Sequence, residues 1–177
     1  VGWLSTVVNW NPLAIDMVED YVVMYLQYST LYMYDQDWNM LVPSLATSID
    51  YNVHANGSMT TTIEITDSAY FRNLATLTDK THQLTAHDVV FTLWLMKNTT
   101  GMTFDWYLQD YSDFKVIDKF TFSLWCPYEK AILLNDICDI PILPKYVWQN
   151  VSNPKSNIDP TKQTEQMTAS GPFVFEA

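Results

Sequence analysis

The chain has 177 residues, of which 48% are hydrophobic and 15% aromatic, so it is long enough for one domain with a hydrophobic core. Its 9 Lys and Arg stand against 20 Asp and Glu, and the formal net charge is −11. This balance excludes nucleic acid and anionic lipid as expected partners, because both are bound through clusters of basic side chains.

The first part of the chain predicts a helix between extended segments. Residues 4–8 form a short apolar stretch that is typical of a strand and ends at a polar turn. A helix is expected from about Val18, followed by a strand at 29–34. Residues 41–46 are predicted to be extended, because the proline among them fixes its backbone angle φ.

The next segment predicts an antiparallel hairpin. Ile49, Tyr51 and Val53 alternate with polar residues and therefore share one face of a strand, and residues 59–65 alternate in the same way. The dipeptide Asn56-Gly57 between the two runs is a strong signal for a tight hairpin turn.

A capped helix is predicted at 86–98. Thr85 is a good N-cap, and Asp88 three residues later completes a capping box, so we interpret Asp88 as a cap and not as a catalytic group. Apolar side chains then cover nearly every direction, which predicts a helix buried between layers.

The last part of the chain predicts a second hairpin and short helices. The expected elements are a hairpin at 114–125 with its turn at Asp118-Lys119, a short helix at 129–137, an extended segment at 140–144, a helical turn at 145–150 and a polar loop at 152–166. The local pattern is therefore α/β or α+β with antiparallel hairpins.

Cysteine and sequon patterns leave two questions open. A disulfide between Cys126 and Cys138 and two buried free thiols are both compatible with the sequence. Asn56, Asn98 and Asn150 each begin a glycosylation sequon, which favours an exported protein.

No pattern in the sequence predicts an enzyme. The spacing of His54, His82 and His87 matches no zinc template, so we interpret them as surface residues and expect no metal or cofactor. Zinc-protease, nucleophile-elbow and phosphate-loop motifs are absent from the sequence. A nucleophilic Cys126 would need a histidine or another thiolate-stabilising neighbour, and none stands near it in the sequence.

Several segments resemble a known family. LTAHDVVFTL at 84–93 resembles the T-A-x-D-V-x-[FY]-[ST] helix entry of family 5 extracellular solute-binding proteins, the peptide- and nickel-type receptors of ABC importers. Six further segments resemble family motifs in the family's order: NWNP at 9–12, STLY with DQDW at 29–38, LVPSLATS at 41–48, VIDKFTF at 116–122, ILPK at 142–145 and SGPF at 170–173. One departure is at 66–72, where the family's glycines are missing.

The resemblance implies a periplasmic-binding-protein type II-like fold. Because family members are much longer chains of two lobes, we expect residues 1–177 to form a single partial domain, the first lobe without the second. Residues 1–28 and 140–177 are expected in the sheet subdomain, and 29–139 in the smaller one. A lobe without its partner is expected to expose apolar surface and to be prone to dimerisation.

The resemblance also implies which residues contact a ligand. In the family, one set of ligand contacts comes from the loop that follows the segment matched here by NWNP at 9–12. These contacts correspond to Ile15, Asp16, Met17 and Val18. An aromatic segment after the capped helix corresponds to Phe104, Trp106 and Tyr107, and aromatic rings give large, rigid contact areas. The alternatives are a helix N-terminal charge for Asp16 and simple packing over the helix for the aromatic residues.

The function implied is the capture of an oligopeptide or similar solute outside the cell for delivery to the permease subunits of an ABC importer. We expect an extracellular or periplasmic, membrane-anchored protein. No apolar run in the chain approaches the ~20 residues of a membrane span, so an anchor or signal peptide is expected outside this sequence. The alternative is a glycosylated structural or adhesive domain of the cell surface.

Overall fold

The structure, a computed structural model, describes residues 7, 9–15, 17–35, 37, 41–130 and 133–176. Its helices are α1 (Val18–Gln27), α2 (Ala86–Asn98), α3 (Leu133–Ile137) and α4 (Lys145–Trp148). Its strands are β1 (Tyr32–Tyr34), β2 (Leu41–Pro43), β3 (Ala46–Val53), β4 (Met59–Ile65), β5 (Asp113–Val116) and β6 (Thr121–Cys126). Short 3-10 turns lie at Leu74–Thr76, Asp105–Leu108 and Thr164–Met167.

The two predicted hairpins are confirmed and lie in one sheet. The strand order is β3-β4-β6-β5, and every neighbouring pair is antiparallel. Gly57 takes a φ of 83° in the turn between β3 and β4, a conformation that glycine adopts without strain. A separate two-stranded sheet pairs β1 with β2.

One face of the four-stranded sheet forms the centre of the core. Its buried side chains alternate along the two central strands: Met59, Thr61, Ile63 and Ile65 on β4, and Phe122, Leu124 and Cys126 on β6. The apolar face of β3 is more open, since Tyr51 and Val53 are each 47% exposed. The reason is that β3 lies at one edge of the sheet, whereas α2 packs against β5 and β6, which lie at the opposite edge.

Helix α2 spans the predicted residues but is not buried all round. It buries one face, made by Ala86, Asp88, Val89, Thr92, Leu93 and Met96. Trp94 on another face is 36% exposed and packs edge-on against Phe114, with ring centroids 5.2 Å apart. The prediction of burial between layers was therefore wrong for this face, because the elements that pack against α2, namely β5, β6, α4 and the Asp105–Leu108 turn, leave Trp94 partly exposed.

Asp88 ties the start of α2 to the start of α4. Its Oδ2 accepts hydrogen bonds from the backbone N of Thr85 at 3.0 Å and from the Thr85 hydroxyl at 2.8 Å. Its Oδ1 accepts a third bond from the backbone N of Lys145 at 2.9 Å. The carboxylate is therefore both a helix cap and a link between two elements that are far apart in sequence.

We expect Asp88→Ala to lower the free energy of unfolding by about 2 kcal/mol, because the cap is lost and buried donors are left without an acceptor. Urea unfolding of both proteins measures the difference. His87→Ala is the control, since His87 is the exposed neighbour on the same helix and its loss should change stability by less than about 0.5 kcal/mol. Equal losses for the two variants would contradict this role of Asp88.

Two expected boundaries differ in the structure, and a third expected element lies almost wholly outside the described residues. The strand expected at 29–34 begins only at Tyr32, because the carbonyls of Ser29 and Thr30 bind the backbone N of Ile142 and of Leu45 instead. The helix expected at 129–137 is described from Leu133 onward. The strand expected at 4–8 lies, apart from residue 7, outside the described residues.

Residues from the two ends of the chain are bonded to each other. The amide of Asn11 donates to the carbonyls of Pro154 and Ser156, each at 2.8 Å. At the end of α1, the backbone N of Gly171 donates to the carbonyl of Gln27 at 2.7 Å. The segment around Asn11 and the end of α1 are therefore held against residues 154–171 by hydrogen bonds.

The disulfide considered from the sequence is not formed. Cys126 and Cys138 are both buried free thiols, and each donates to a different backbone carbonyl, that of Asp110 and that of Asn135. Burial, together with the nearby Asp139, raises the pKa of Cys138 to about 12, so this thiol stays protonated.

In the described part of the chain, no helix has the length and apolar character that crossing a membrane requires.

Candidate functional site

Two segments that the sequence singles out separately are joined in the structure. The hydroxyl of Thr103 accepts a hydrogen bond from the backbone N of Ile15 at 2.8 Å, and its own backbone N donates to the carbonyl of Leu13 at 3.0 Å. These bonds hold the loop before α1 against the beginning of the aromatic segment.

A chain of aromatic rings continues this contact. Tyr21 in α1 packs edge-on against Phe104, with ring centroids 6.3 Å apart, and Phe104 lies 6.5 Å from Tyr107. Tyr107 in turn stacks on Trp106 at 3.7 Å with an angle of 27° between the rings. Phe104 is buried, Tyr107 is half-buried and Trp106 is 65% exposed, so the rings lead from the core to the surface.

The structure places the residues expected to touch a ligand in different surroundings. Trp106 and Tyr107 border a cavity, which is described below, whereas Met17 and Val18 are exposed at the start of α1 and do not line it. Ile15 is buried and serves the contact with Thr103. Asp16 lies outside the described residues.

We name the "acidic cavity" the space of about 410 Å³ lined by Trp106, Tyr107 and Asp110 on one segment and by Tyr128, Glu129, Lys130 and Asp136 on others. The 3-10 turn Asp105–Leu108 supplies the aromatic side. The segment that follows β6 and Asp136 near the end of α3 supply the other side. The cavity therefore lies where three stretches of the chain meet.

A lysine bridges two carboxylates in the acidic cavity. The ammonium of Lys130 lies 2.7 Å from Asp110 Oδ2 and 2.7 Å from Asp136 Oδ2. The hydroxyl of Tyr111 donates to the same oxygen of Asp136 at 3.1 Å. Because Asp136 is only 5% exposed and Lys130 only 9%, this bridge is largely shielded from water.

The electrostatics of the cavity follow from these contacts. Hydrogen bonds from Lys130 and Tyr128 hold the pKa of Asp110 below its ordinary value of 3.8. Burial disfavours the charged ammonium, yet the hydrogen bonds to Asp110 and Asp136 raise the pKa of Lys130. Burial and then the nearby Asp139 and Asp136 raise the pKa of the Tyr107 hydroxyl, which therefore stays neutral. At neutral pH Asp110 and Lys130 are therefore charged, and the Tyr107 phenol is neutral.

Sequence reasoning found the aromatic side of the acidic cavity and missed the charged side. Asp110, Lys130 and Asp136 come from three separate stretches, and no spacing in the sequence pairs them. For Tyr128 and Glu129, the only signal in the sequence is that they follow the predicted hairpin at 114–125 directly.

Other parts of the surface fit a site less well. An open cavity of about 540 Å³ lies between α4 and residues 150–166, and it contains none of the residues that the sequence singles out for ligand contact. His54 contacts Thr60, and His82 stacks on Tyr146 with ring centroids 4.2 Å apart. Within the described residues, no group of three or more His, Cys, Asp or Glu is arranged to hold a metal ion.

Comparison with solved structures shows what the fold resembles. NikZ from Campylobacter jejuni, in complex with Ni(L-His), matches 97% of this chain with a TM-score of 0.74 and 19% identity. The oligopeptide-binding protein AppA from Bacillus subtilis, in complex with a nonapeptide, matches 96% with a TM-score of 0.73 and 21% identity. The periplasmic binding protein DppA from Helicobacter pylori, in complex with the peptide STSA, matches 96% with a TM-score of 0.71 and 19% identity.

The chain has the fold of part of a periplasmic binding protein. It spans about a third of the length of these structures, namely 31% of NikZ, 32% of AppA and 34% of DppA. No family model matches the sequence, and no curated protein matches it. The expectation of a type II-like partial lobe with antiparallel hairpins is thus confirmed at the level of the fold.

Proposed function

We propose that this chain is part of the substrate-binding receptor of an ABC importer, and that it captures an oligopeptide or a similar solute outside the cytoplasmic membrane for delivery to permease subunits. The proposed contacts are Trp106 and Tyr107 at the acidic cavity, together with Asp16, Met17 and Val18 from the segment at the start of α1. No catalytic step is part of this proposal. Capture would be reversible, and it would work by tighter binding of the ligand to a closed state of the complete receptor.

One observation carries the proposal. Trp106 keeps 65% of its surface exposed although it is stacked on Tyr107 at the rim of a cavity. A large aromatic ring that only packed over the helix would be mostly buried. The fold supports the same conclusion, because the matching structures named above are of binding proteins, two of them with peptides bound.

The test is a calorimetric titration of the complete product of the gene that encodes this chain, first with a mixed oligopeptide pool and then with an oligosaccharide pool. We expect heat of binding with the peptides. We expect Trp106→Ala to weaken this binding about tenfold, because an exposed aromatic ring in a binding site gives much of the contact energy.

Tyr51→Ala is the matched control, since Tyr51 is an aromatic residue 47% exposed on β3. Its removal should leave the affinity unchanged. A folded protein that binds neither pool would contradict the proposed function. Binding that survives both Trp106→Ala and Tyr107→Ala would contradict the proposed site.

The proposed location is the periplasm or the cell exterior, with an anchor in the membrane. Use of the three sequons stays a prediction, and their asparagines, Asn56, Asn98 and Asn150, are all exposed. Dimerisation also stays a prediction. Exposed apolar side chains that a partner surface would cover include Val18 and Val22 on α1 and Phe173 near the end of the chain.

A further inference from the structure

The charges of the acidic cavity do not balance. Its lining carries three carboxylates, on Asp110, Glu129 and Asp136, against the one ammonium of Lys130, which leaves a net charge of −2. The side chain of Asp110 is 46% exposed and Glu129 is exposed, so two of the carboxylates face solvent and can reach a ligand. The potential inside the cavity therefore attracts cations and repels anions.

The single ammonium is not free to bind an anion. Lys130 is only 9% exposed, and its Nζ already donates to one carboxylate on each side at 2.7 Å. The ammonium also lies over the ring of Tyr111, 5.0 Å from the centroid. A ligand carboxylate would have to displace one of these partners, so the lysine neutralises its neighbours and is not a contact for the ligand.

The remaining walls suit an organic cation. Trp106 is 65% exposed and Tyr128 is 45% exposed, and both line the same space as the carboxylates. Electron-rich ring faces attract ammonium and guanidinium groups, and tryptophan does so most strongly. Stacking on Tyr107 at 3.7 Å fixes the plane of the Trp106 ring before any ligand arrives.

We infer that the acidic cavity receives an organic cation of the captured solute, a substituted ammonium or a guanidinium group, between the rings of Trp106 and Tyr128 and the carboxylates of Asp110 and Glu129. The inference rests on the proposed function, since it names the class of solute for the same site. It makes the receptor selective for positively charged solutes.

The test uses the complete product of the gene that encodes this chain and nuclear magnetic resonance. The indole N–H signal of Trp106 and the ring signals of Tyr128 are followed during titration with tetramethylammonium chloride at constant ionic strength. Tert-butanol serves as a neutral probe of nearly the same shape, and sodium acetate serves as an anionic one. We expect a saturable shift of these signals with tetramethylammonium alone.

Variants locate the effect. Glu129→Gln should weaken tetramethylammonium binding several-fold, and Trp106→Ala should weaken it by about tenfold, because each removes one attraction for the cation. Both residues are exposed, so neither change removes a core contact. Asp50→Asn is the matched control, since Asp50 is an exposed acid on β3 and its loss changes the net charge of the chain equally.

Each outcome decides the inference. A shift that tetramethylammonium causes, that Asp50→Asn leaves intact and that Glu129→Gln weakens supports it. Equal responses to tetramethylammonium and tert-butanol, a response at other residues only, or no response at all would overturn it. The titration with peptide and oligosaccharide pools tests the proposed function separately. A receptor that binds neutral peptides as tightly as cationic ones would keep its function and lose this selectivity.

Discussion

Asp136→Ala is expected to lower the free energy of unfolding by about 3 kcal/mol, because it leaves a shielded ammonium and a buried hydroxyl without a shared acceptor. Asp136 accepts from Lys130 at 2.7 Å and from Tyr111 at 3.1 Å, and it is 5% exposed. Removal of one member of such a group costs more than the group contributes as a whole, since the remaining charge stays buried. Urea unfolding followed by circular dichroism measures the loss.

A double-mutant cycle separates this effect from simple loss of packing. Lys130→Met removes the charge and keeps much of the apolar stem, so Asp136→Ala should cost clearly less in that background than in the parent chain. Asp50→Ala, at an exposed position on β3, should change stability by less than about 0.5 kcal/mol. Equal costs of Asp136→Ala in both backgrounds would show that the ion pair is not the cause.

Gly171→Ala is expected to cost a similar amount, about 3 kcal/mol, for a steric reason. A Cβ added at Gly171 would lie 2.5 Å from the carbonyl oxygen of Gln27 and 2.9 Å from that of Leu26. Both oxygens belong to the backbone at the end of α1, so no side chain can turn aside to make room. The hydrogen bond from Gly171 to Gln27, at 2.7 Å, would be lost as the chain moves away.

Gly57→Ala is the matched control for this prediction. Gly57 has a φ of 83° and nothing within 4 Å of an added Cβ. Its replacement should therefore cost about 1 kcal/mol from backbone strain alone. Thermal unfolding of both variants compares the two costs. If Gly171→Ala is no worse than Gly57→Ala, the close approach of residues 170–173 to α1 is not a constraint on the fold.

The parts of the fold that could be predicted are those with local signals. Asn56-Gly57 marks one hairpin, alternation in 114–125 marks the other, and Thr85 with Asp88 marks the start of α2. The boundary at 29–34 could not be predicted, because the carbonyl of Ser29 is bound by an amide far along the chain. Burial of α2 was over-predicted since composition reports how apolar a helix is and not how many layers surround it.

The candidate site divides in the same way. The aromatic stretch that holds Trp106 and Tyr107 is visible in the sequence as an unusual local composition. The bridge of Lys130 to Asp110 and Asp136 depends on three stretches meeting, which only tertiary structure decides. The charge of the chain as a whole, −11, gave no indication of where its acids gather around a cavity.

The hydrogen bond between Ile142 and Ser29 has a consequence for the order in which the chain folds. These two residues lie at the ends of the stretch that carries all six described strands. The sheet can form as soon as β6 has left the ribosome, whereas the contact between α1 and Gly171 must wait until Gly171 has been made. Contacts so distant in sequence form slowly, and the apolar side of α1 stays open in the meantime. Until this contact forms, the nascent chain exposes apolar surface through which it can aggregate or bind a chaperone.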